Sequence, residues 1–274
     1  MRGFPGEKIG QGGSADIHAW APGQVVKLFK PGGERLSRLE ARMTRAAFAA
    51  GLPAPQVFDE VTVEGRVGIV LSRFDGPTLL QLLQTGAVTR DRAAAILATL
   101  ALSVHKTPPP PDVISQRDLL RALVESPGNL LPKHLAPGVL ALLERLPPED
   151  ALCHGDLHVN NVIMTAKGPR LIDWTWTRRV GTALDLAHGH VVLCELIPEG
   201  IDPQPPRALD AAVQSEYARL AGISSAALTT AMEPYLPIVR AFFLLVWRGT
   251  PALRERLTQS LEGTLQKGRY QPET

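Results

Sequence analysis

Cysteine is scarce. Among 274 residues only Cys153 and Cys194 occur, both in apolar segments, and they read as reduced core residues of a reducing compartment. An excess of one charge is missing too: 29 Lys and Arg against 27 Asp and Glu leave a net charge of +2. That balance speaks against a general polyanion partner, so neither nucleic acid nor a membrane surface is expected. No stretch reaches the length of a membrane span without a charge. Residues 1–8 carry no apolar signal region, so a cytoplasmic location is the default expectation. No Gly-x-Ser-x-Gly elbow occurs, which counts against a hydrolase with a serine nucleophile. The seven histidines are scattered without zinc-site spacing, which counts against a catalytic metal held by imidazole. There is no internal repeat and no low-complexity tail. A chain of this length is long for one core and short for two independent domains, and suits one bilobal unit.

The most informative stretch is 152–176: Leu-Cys-His-Gly-Asp-Leu-His-Val-Asn-Asn-Val-Ile-Met, a short turn, then Arg-Leu-Ile-Asp-Trp-Thr-Trp. An apolar strand at Val162 to Thr165, a turn at Ala166-Lys167-Gly168-Pro169 and a second strand at Arg170 to Ile172 predict a hairpin. Such a hairpin returns the chain beside its start, so Asp156, Asn161 and Asp173 are expected to converge at one end of it. Two carboxylates and one amide oxygen form an incomplete oxygen shell. It suits Mg²⁺ if phosphate oxygens and water complete it.

Earlier in the chain, Gly10, Gly12, Gly13 and Ser14 lie in a glycine-rich turn flanked by apolar residues. Glycines permit close backbone approach and open N–H groups toward phosphate oxygens. The next apolar run, Gln24 to Phe29, contains Lys27, a cation that is costly to bury unless paired. A helix is predicted from about Glu34 to Ala50, with Leu36, Leu39, Met43, Ala46, Ala47 and Ala50 as its buried face. Glu40 lies among these positions, and a carboxylate on an inward stripe needs a cation, for which Lys27 is the natural candidate. Glu34 sits at the helix start, where the dipole already accounts for it. A second hairpin follows (Val57 to Val63, Val67 to Leu71), and from Thr78 onward the pattern is helical. The predicted helices run about Thr78–Gln84, Thr89–Lys106, Ser115–Glu125, Ala136–Leu146, Asp185–Leu196, Pro206–Ala221, Ser225–Trp247 and Pro251–Lys267.

The order of these motifs resembles the protein-kinase-like fold. His-Gly-Asp with a later Asp-Trp is similar to the aminoglycoside phosphotransferase and choline kinase branch. The resemblance implies an α+β, bilobal architecture with a β-rich nucleotide-binding lobe at 1–74 and a helical catalytic and acceptor-binding lobe at 75–274. It implies that Asp156 accepts the proton from, or orients, the attacking hydroxyl, and that Asn161 and Asp173 hold Mg²⁺ on the phosphates of ATP. It also implies that the glycine turn covers the phosphates, that Lys27 contacts them while paired with Glu40, and that Ser72 to Phe74 form a hinge whose backbone meets adenine. Ala15 stands where the kinase loop has its third glycine. His154 is expected to brace the loop, His158 to help shape the site, His105 to be structural, and Asp185 to support the catalytic loop.

The acceptor is harder to read. From Leu186 to Thr274 there are nine acids and eight bases, a balance that does not advertise a pocket for polycationic aminoglycosides. Trp174, Trp176, Tyr235, Phe242, Phe243 and Trp247 could cage a choline-like cation, although Phe243 and Trp247 have the spacing of an ordinary core stripe. The expected activity is ATP- and Mg²⁺-dependent phosphorylation of a hydroxyl on a small molecule. A kinase acting on protein ranks second, since 173–185 leaves no room for a long peptide-docking loop. A non-catalytic nucleotide-binding module has no physical need for all of Lys27, Glu40, Asp156, Asn161 and Asp173.

Overall fold

The structure, a computed structural model, describes residues 5–268 apart from 149 and 248. In chain order its elements begin with β1 (Lys8–Gln11), β2 (Ala15–Ala19), β3 (Gln24–Phe29), α1 (Glu34–Ala49), β4 (Val57–Val63) and β5 (Arg66–Ser72). They continue with α2 (Leu79–Gln84), α3 (Arg90–His105), α4 (Gln116–Glu125), α5 (Ala136–Glu144), β6 (Ala151–Cys153), β7 (Val162–Thr165), β8 (Gly168–Leu171) and β9 (Arg178–Val180). The chain ends with α6 (Ala183–His190), α7 (Gln204–Ala221), α8 (Ser225–Met232), α9 (Leu236–Val246) and α10 (Pro251–Gly268). Two compact units emerge. The described residues up to Val88 group with 110–113 and 158–177, and residues 89–109, 114–157 and the described residues from Arg178 onward form the second unit.

The first unit is built on an antiparallel five-stranded sheet in the order β1-β2-β3-β5-β4. Alternation along β3 sends Val25 and Phe29 into one core cluster with Ala15, Ala41, Ile69 and Leu71, while Val26 and Leu28 join Val70 in another cluster. A period of two therefore places Lys27 with Val25 and Phe29 on the α1 side of the sheet. The buried face of α1 is Ser37, Glu40, Ala41, Met43, Thr44 and Ala47. This corrects the expected stripe: Leu36, Leu39 and Ala46 are half-buried and Ala50 is exposed. The helix is turned so that Glu40, rather than the two leucines, is buried, with its carboxylate on Lys27 and Thr175.

The β7–β8 hairpin is tighter than expected. Thr165 pairs with Gly168 and Met164 with Pro169, leaving Ala166-Lys167 alone as the turn. Thr165 makes this possible, since its hydroxyl donates to Gly168 O at 2.8 Å and accepts from Lys167 N at 3.2 Å. Pro169 costs no ladder bond on a strand of a two-stranded sheet. Leu171 N donates to Pro53 O and Met164 N to Pro77 O, both at 2.9 Å, tying the hairpin to the rest of the unit. Gly76 lets that approach happen: its φ is 152°, and a Cβ there would stand 2.0 Å from Met164 O.

In the second unit β6 pairs antiparallel with β9, and α3 packs along α7. The helix expected over Ser225–Trp247 is two helices, α8 and α9, because Pro234 has no N–H to continue the first. Tyr235 then opens α9, with Pro237 tolerated in its first turn. Among the described residues no helix is long and apolar enough to cross a membrane.

Candidate active site

Lys27 leaves β3 into a buried position, and its ammonium meets both oxygens of Glu40, at 2.8 Å and 2.7 Å. The same nitrogen stands 3.3 Å from Asp173 Oδ2. Burial alone would lower the Lys27 pKa, but the charges of Glu40 and Asp173 outweigh it and hold it above its ordinary value, so Lys27 remains a cation. Burial pushes the Glu40 carboxyl up, and Asp173 adds to this against the pull of Lys27. One cation facing two carboxylates leaves a surplus negative charge, which a further cation beside Asp173 would relieve.

The β7–β8 hairpin delivers Asp173. Val162 pairs with Leu171, and one step outward Ile172 N donates to Asn161 O at 2.9 Å, so Asn161 and Asp173 flank the same end of the ladder. Asp173 has φ 62° and ψ 64°, a left-handed conformation that aspartate tolerates better than most residues and that costs about 1 kcal/mol or more. The 3-10 turn Trp174–Trp176 follows. Trp174 is fully buried, and its indole donates to Leu171 O at 2.8 Å. One carboxylate and one amide, beside surplus negative charge, are the hard oxygen donors that Mg²⁺ takes, with water or phosphate completing an octahedron. The residues present fit that ion.

The glycine turn joins β1 to β2. Gly12 N donates to Ala15 O at 2.8 Å, and Ser14 O accepts from Lys30 N at 2.9 Å. Gly10 lies in β1, where the register with β2 slips. None of Gly10, Gly12 and Gly13 has a positive φ. A Cβ at Gly13 would meet nothing within 4 Å, and at Gly12 only Ala15 O at 3.7 Å. Neither backbone conformation nor packing requires glycine at 12 or 13. Ser72 closes β5, with its hydroxyl accepting from Gln56 N at 3.0 Å. Phe74 is half-buried under the Arg170 guanidinium, 5.8 Å from the ring centroid.

Asp156 belongs to the second unit, in the loop that leaves β6. Gly155 has φ 81°, and Asp185 fixes the loop by accepting from the backbone N–H of His154 at 2.8 Å and of Gly155 at 2.7 Å. Asp185 therefore braces the loop; the N-cap position of α6 is Thr182. His105 stands behind it, with Nε2 3.2 Å from Asp185 and Nδ1 2.7 Å from the Tyr217 hydroxyl. His154 accepts from Asp156 N at 3.2 Å, the bracing expected of it. His188 on α6 lies 3.9 Å from Asp156 Oδ1 and stacks on Phe243, which meets Trp247 edge-on.

Sequence reasoning missed several residues. Thr175 donates toward both Glu40 and Asp173. Arg178, fully buried, lies over the Phe242 ring at 4.6 Å, and burial holds its guanidinium down at about 10. No local pattern marks a threonine or an arginine for such positions. Cys194 also departs from expectation: it is half-buried and hydrogen-bonded to Asp210 rather than packed in the core. Of the six aromatics considered for a cation cage, Trp174, Tyr235 and Phe242 are enclosed in the core.

An antiparallel sheet that presents a paired lysine, with an Asp–Asn pair at a hairpin end and a braced His-Gly-Asp loop, defines an enzyme of phosphoryl transfer. The chain belongs to the phosphotransferase enzyme family, whose model matches residues 9–223 and so spans every residue just described except Tyr235, Phe242, Phe243 and Trp247 at the C-terminal end. A comparison with curated protein sequences gave no match. Among solved structures, a choline/ethanolamine kinase family protein from Mesorhizobium loti is 16% identical with a TM-score of 0.59, covering 98% of this chain and 89% of its own. The streptomycin–ATP ternary complex of APH(2")-IIa is 17% identical with a TM-score of 0.57, covering 96% and 92%. The type VIII aminoglycoside-3'-phosphotransferase is 23% identical with a TM-score of 0.54, covering 85% and 93%. At these identities the likeness is one of fold, and that fold is the α+β kinase-like one expected from the sequence.

Proposed function

We propose that this phosphotransferase moves the γ-phosphoryl group of ATP to a hydroxyl of a small molecule. The observation that carries this reading is the cluster of buried Lys27, Glu40 and Thr175 with half-buried Asp173, which places a cation and two carboxylates where apolar packing would be at least as stable. In this reading Lys27 binds the phosphates and Glu40 keeps its ammonium aimed. Asn161 and Asp173 hold Mg²⁺, which when bound neutralises charge on the phosphate oxygens. Gly10, Gly12, Gly13 and Ser14 form the turn that covers the phosphates; the Gly12 N–H is held by Ala15 O, and open space at Gly12 and Gly13 supports close approach of a phosphate there. The backbone of Ser72 to Phe74 meets the adenine. Asp156 orients the acceptor hydroxyl and takes its proton, with His154 and Asp185 fixing its loop. Catalysis then rests on positioning and charge neutralisation rather than on a covalent enzyme intermediate.

The functional lobes in this proposal are 1–74 for nucleotide and 75–274 for catalysis and acceptor, and the protein works in the cytoplasm. Amino alcohols, sugars and aminoglycosides are the acceptor classes to try first, since proteins of the same fold carry names for choline and for aminoglycosides. The test is transfer from MgATP or MgGTP to a mixed panel of aminoglycosides, other hydroxylated antibiotics, choline, ethanolamine, homoserine, sugars and generic proteins, read by mass spectrometry. Gain of one phosphate on a small molecule, absent with Asp156→Asn, establishes the reading. Phosphate found only on protein would replace it with a protein kinase.

A further inference from the structure

Away from phosphoryl transfer, three side chains of different chemistry meet where α6 runs into α7. His190 ends α6, and the next five residues, Val191–Glu195, form a π-helical turn closed by Leu196 N donating to Val191 O at 3.0 Å. Such turns are rare, and many of those known lie at functional sites. Residues four apart share a helix face, and this turn sets Cys194 beside His190. Both reach Asp210 on α7: His190 Nδ1 is 2.7 Å and Cys194 Sγ 3.3 Å from Asp210 Oδ2. Gln214, one turn along α7, donates to the same oxygen at 2.9 Å and fixes the carboxylate. One imidazole nitrogen, one sulfur and one carboxylate oxygen thus lie within 4.8 Å of one another.

We propose that His190, Cys194 and Asp210 form a binding site for a soft divalent cation of the zinc class, with water in the fourth position. Nitrogen, thiolate and carboxylate together suit zinc or cobalt and do not suit Mg²⁺, which prefers oxygen alone. A tetrahedral ion requires its donors about 3.3 to 3.6 Å apart, so His190 and Cys194, at 2.7 and 3.3 Å from Asp210 Oδ2, have each to draw back from it by less than about 1 Å. Access is available: the His190 side chain is 33% exposed, whereas that of Asp210 is 8% exposed and held in place. Glu195 does not compete, because Arg240 holds both its oxygens at 2.9 and 2.7 Å. Gln214 is the outer partner that orients the ligating carboxylate. Sequence spacing alone does not reveal this set, because Asp210 comes from a separate helix sixteen residues beyond Cys194. A bound ion would clamp the C-terminal end of α6, the helix that also carries Asp185 and His188.

The experiment is titration of the full chain, free of any polyhistidine tag and stripped by chelation, with Co²⁺ in the presence of excess Mg²⁺. The expected result is one equivalent bound, with a near-ultraviolet thiolate-to-cobalt charge-transfer band and tetrahedral visible bands. Zn²⁺ should displace the cobalt and raise the melting temperature. The sulfur band should vanish in Cys194→Ser and persist in Cys153→Ser, and His190→Gln should weaken binding at least tenfold. A folded wild-type chain with no thiolate band overturns the proposal, and so does a band that survives Cys194→Ser. Because the wild type decides the first point, a poorly folding variant cannot rescue or sink the idea.

Discussion

The Thr175 hydroxyl lies 2.8 Å from Glu40 Oε2, across 135 positions of chain, and also 2.8 Å from Asp173 Oδ1. A hydroxyl has one hydrogen, so Thr175 shares it between the lysine's carboxylate partner and the carboxylate assigned to the metal. Thr175→Val keeps the shape and removes that hydrogen. We expect it to cost about 1–2 kcal/mol of stability and to raise the Mg²⁺ concentration needed for half-maximal nucleotide binding. Thr175→Ser should restore both. Urea unfolding and Mg²⁺-dependent nucleotide binding of the three proteins check this. A valine variant indistinguishable from wild type in both would show that the bridge has no energetic role.

Lys27 and Glu40 are tighter partners, and the size of their mutational effects exceeds that of a surface pair. Removing the ammonium with Lys27→Met leaves Glu40 buried against Asp173 without a cation, an expected loss of about 3–5 kcal/mol. Adding Glu40→Gln to that variant removes the stranded charge and should recover part of the loss. A double-mutant cycle on unfolding free energy measures the coupling. Additive single effects would contradict the geometry.

Much of this site was legible in the sequence because its parts obey local rules. Lys27 announces itself as a charge in an apolar strand, and the Asn161-to-Asp173 spacing contains a hairpin whose register follows from alternation. What stayed hidden depends on distant partners. The period of α1 overstates the burial of Leu36 and Leu39, and although Lys27 was the expected partner of Glu40, its second partner, Thr175, is encoded by no helical period. The support that Asp185 gives the catalytic loop is likewise expected only through resemblance, because its partners, the amides of His154 and Gly155, lie far upstream in the chain. The break between α8 and α9 was readable from Pro234, but the apolar periodicity on either side of it masked the signal.

Asp185 should register in the acid limb of stability. Burial would raise its pKa, but the His105 hydrogen bond, the charges of His105 and His154 and the Gly155 amide outweigh it and hold the carboxyl at about 2, down from 3.8. A carboxyl depressed in the folded state stabilises fully above its unfolded value and loses that contribution as pH falls through its folded value. The expected contribution is about 2 kcal/mol, present at pH 5 and lost between about pH 4 and pH 2. Asp185→Asn should flatten that part of the stability–pH curve and lower stability at neutral pH by about 3 kcal/mol, since its amide would face backbone N–H groups. Unfolding free energies measured from pH 2 to 7 test it; an equally steep curve in the variant would assign the acid sensitivity elsewhere.

Asp156→Asn separates chemistry from binding. If Asp156 takes the acceptor proton, the substitution should reduce kcat about 10²- to 10⁴-fold, leave the KM for nucleotide within about twofold and leave the melting temperature unchanged. Steady-state kinetics with whichever acceptor the panel identifies, alongside calorimetric unfolding, provide the check. A fall in nucleotide affinity as large as the fall in kcat would move Asp156 from base to ligand-binding residue.

The glycine turn offers the cleanest division between what the fold needs and what a ligand needs. At Gly12 and Gly13 no positive φ and no close neighbour stands in the way of a side chain, so Gly12→Ala and Gly13→Ala should change stability by less than about 0.5 kcal/mol. A methyl group there would nevertheless stand where backbone N–H groups approach phosphate, so nucleotide affinity should fall at least tenfold while melting does not move. Gly76→Ala is the opposite case: its φ, and the 2.0 Å at which a Cβ would stand from Met164 O, require glycine for the fold, and the variant should lose stability first. If alanine at 12 and 13 left nucleotide binding intact, those glycines would have neither a folding reason nor a binding reason, and the phosphate role would have to pass to Lys27 alone.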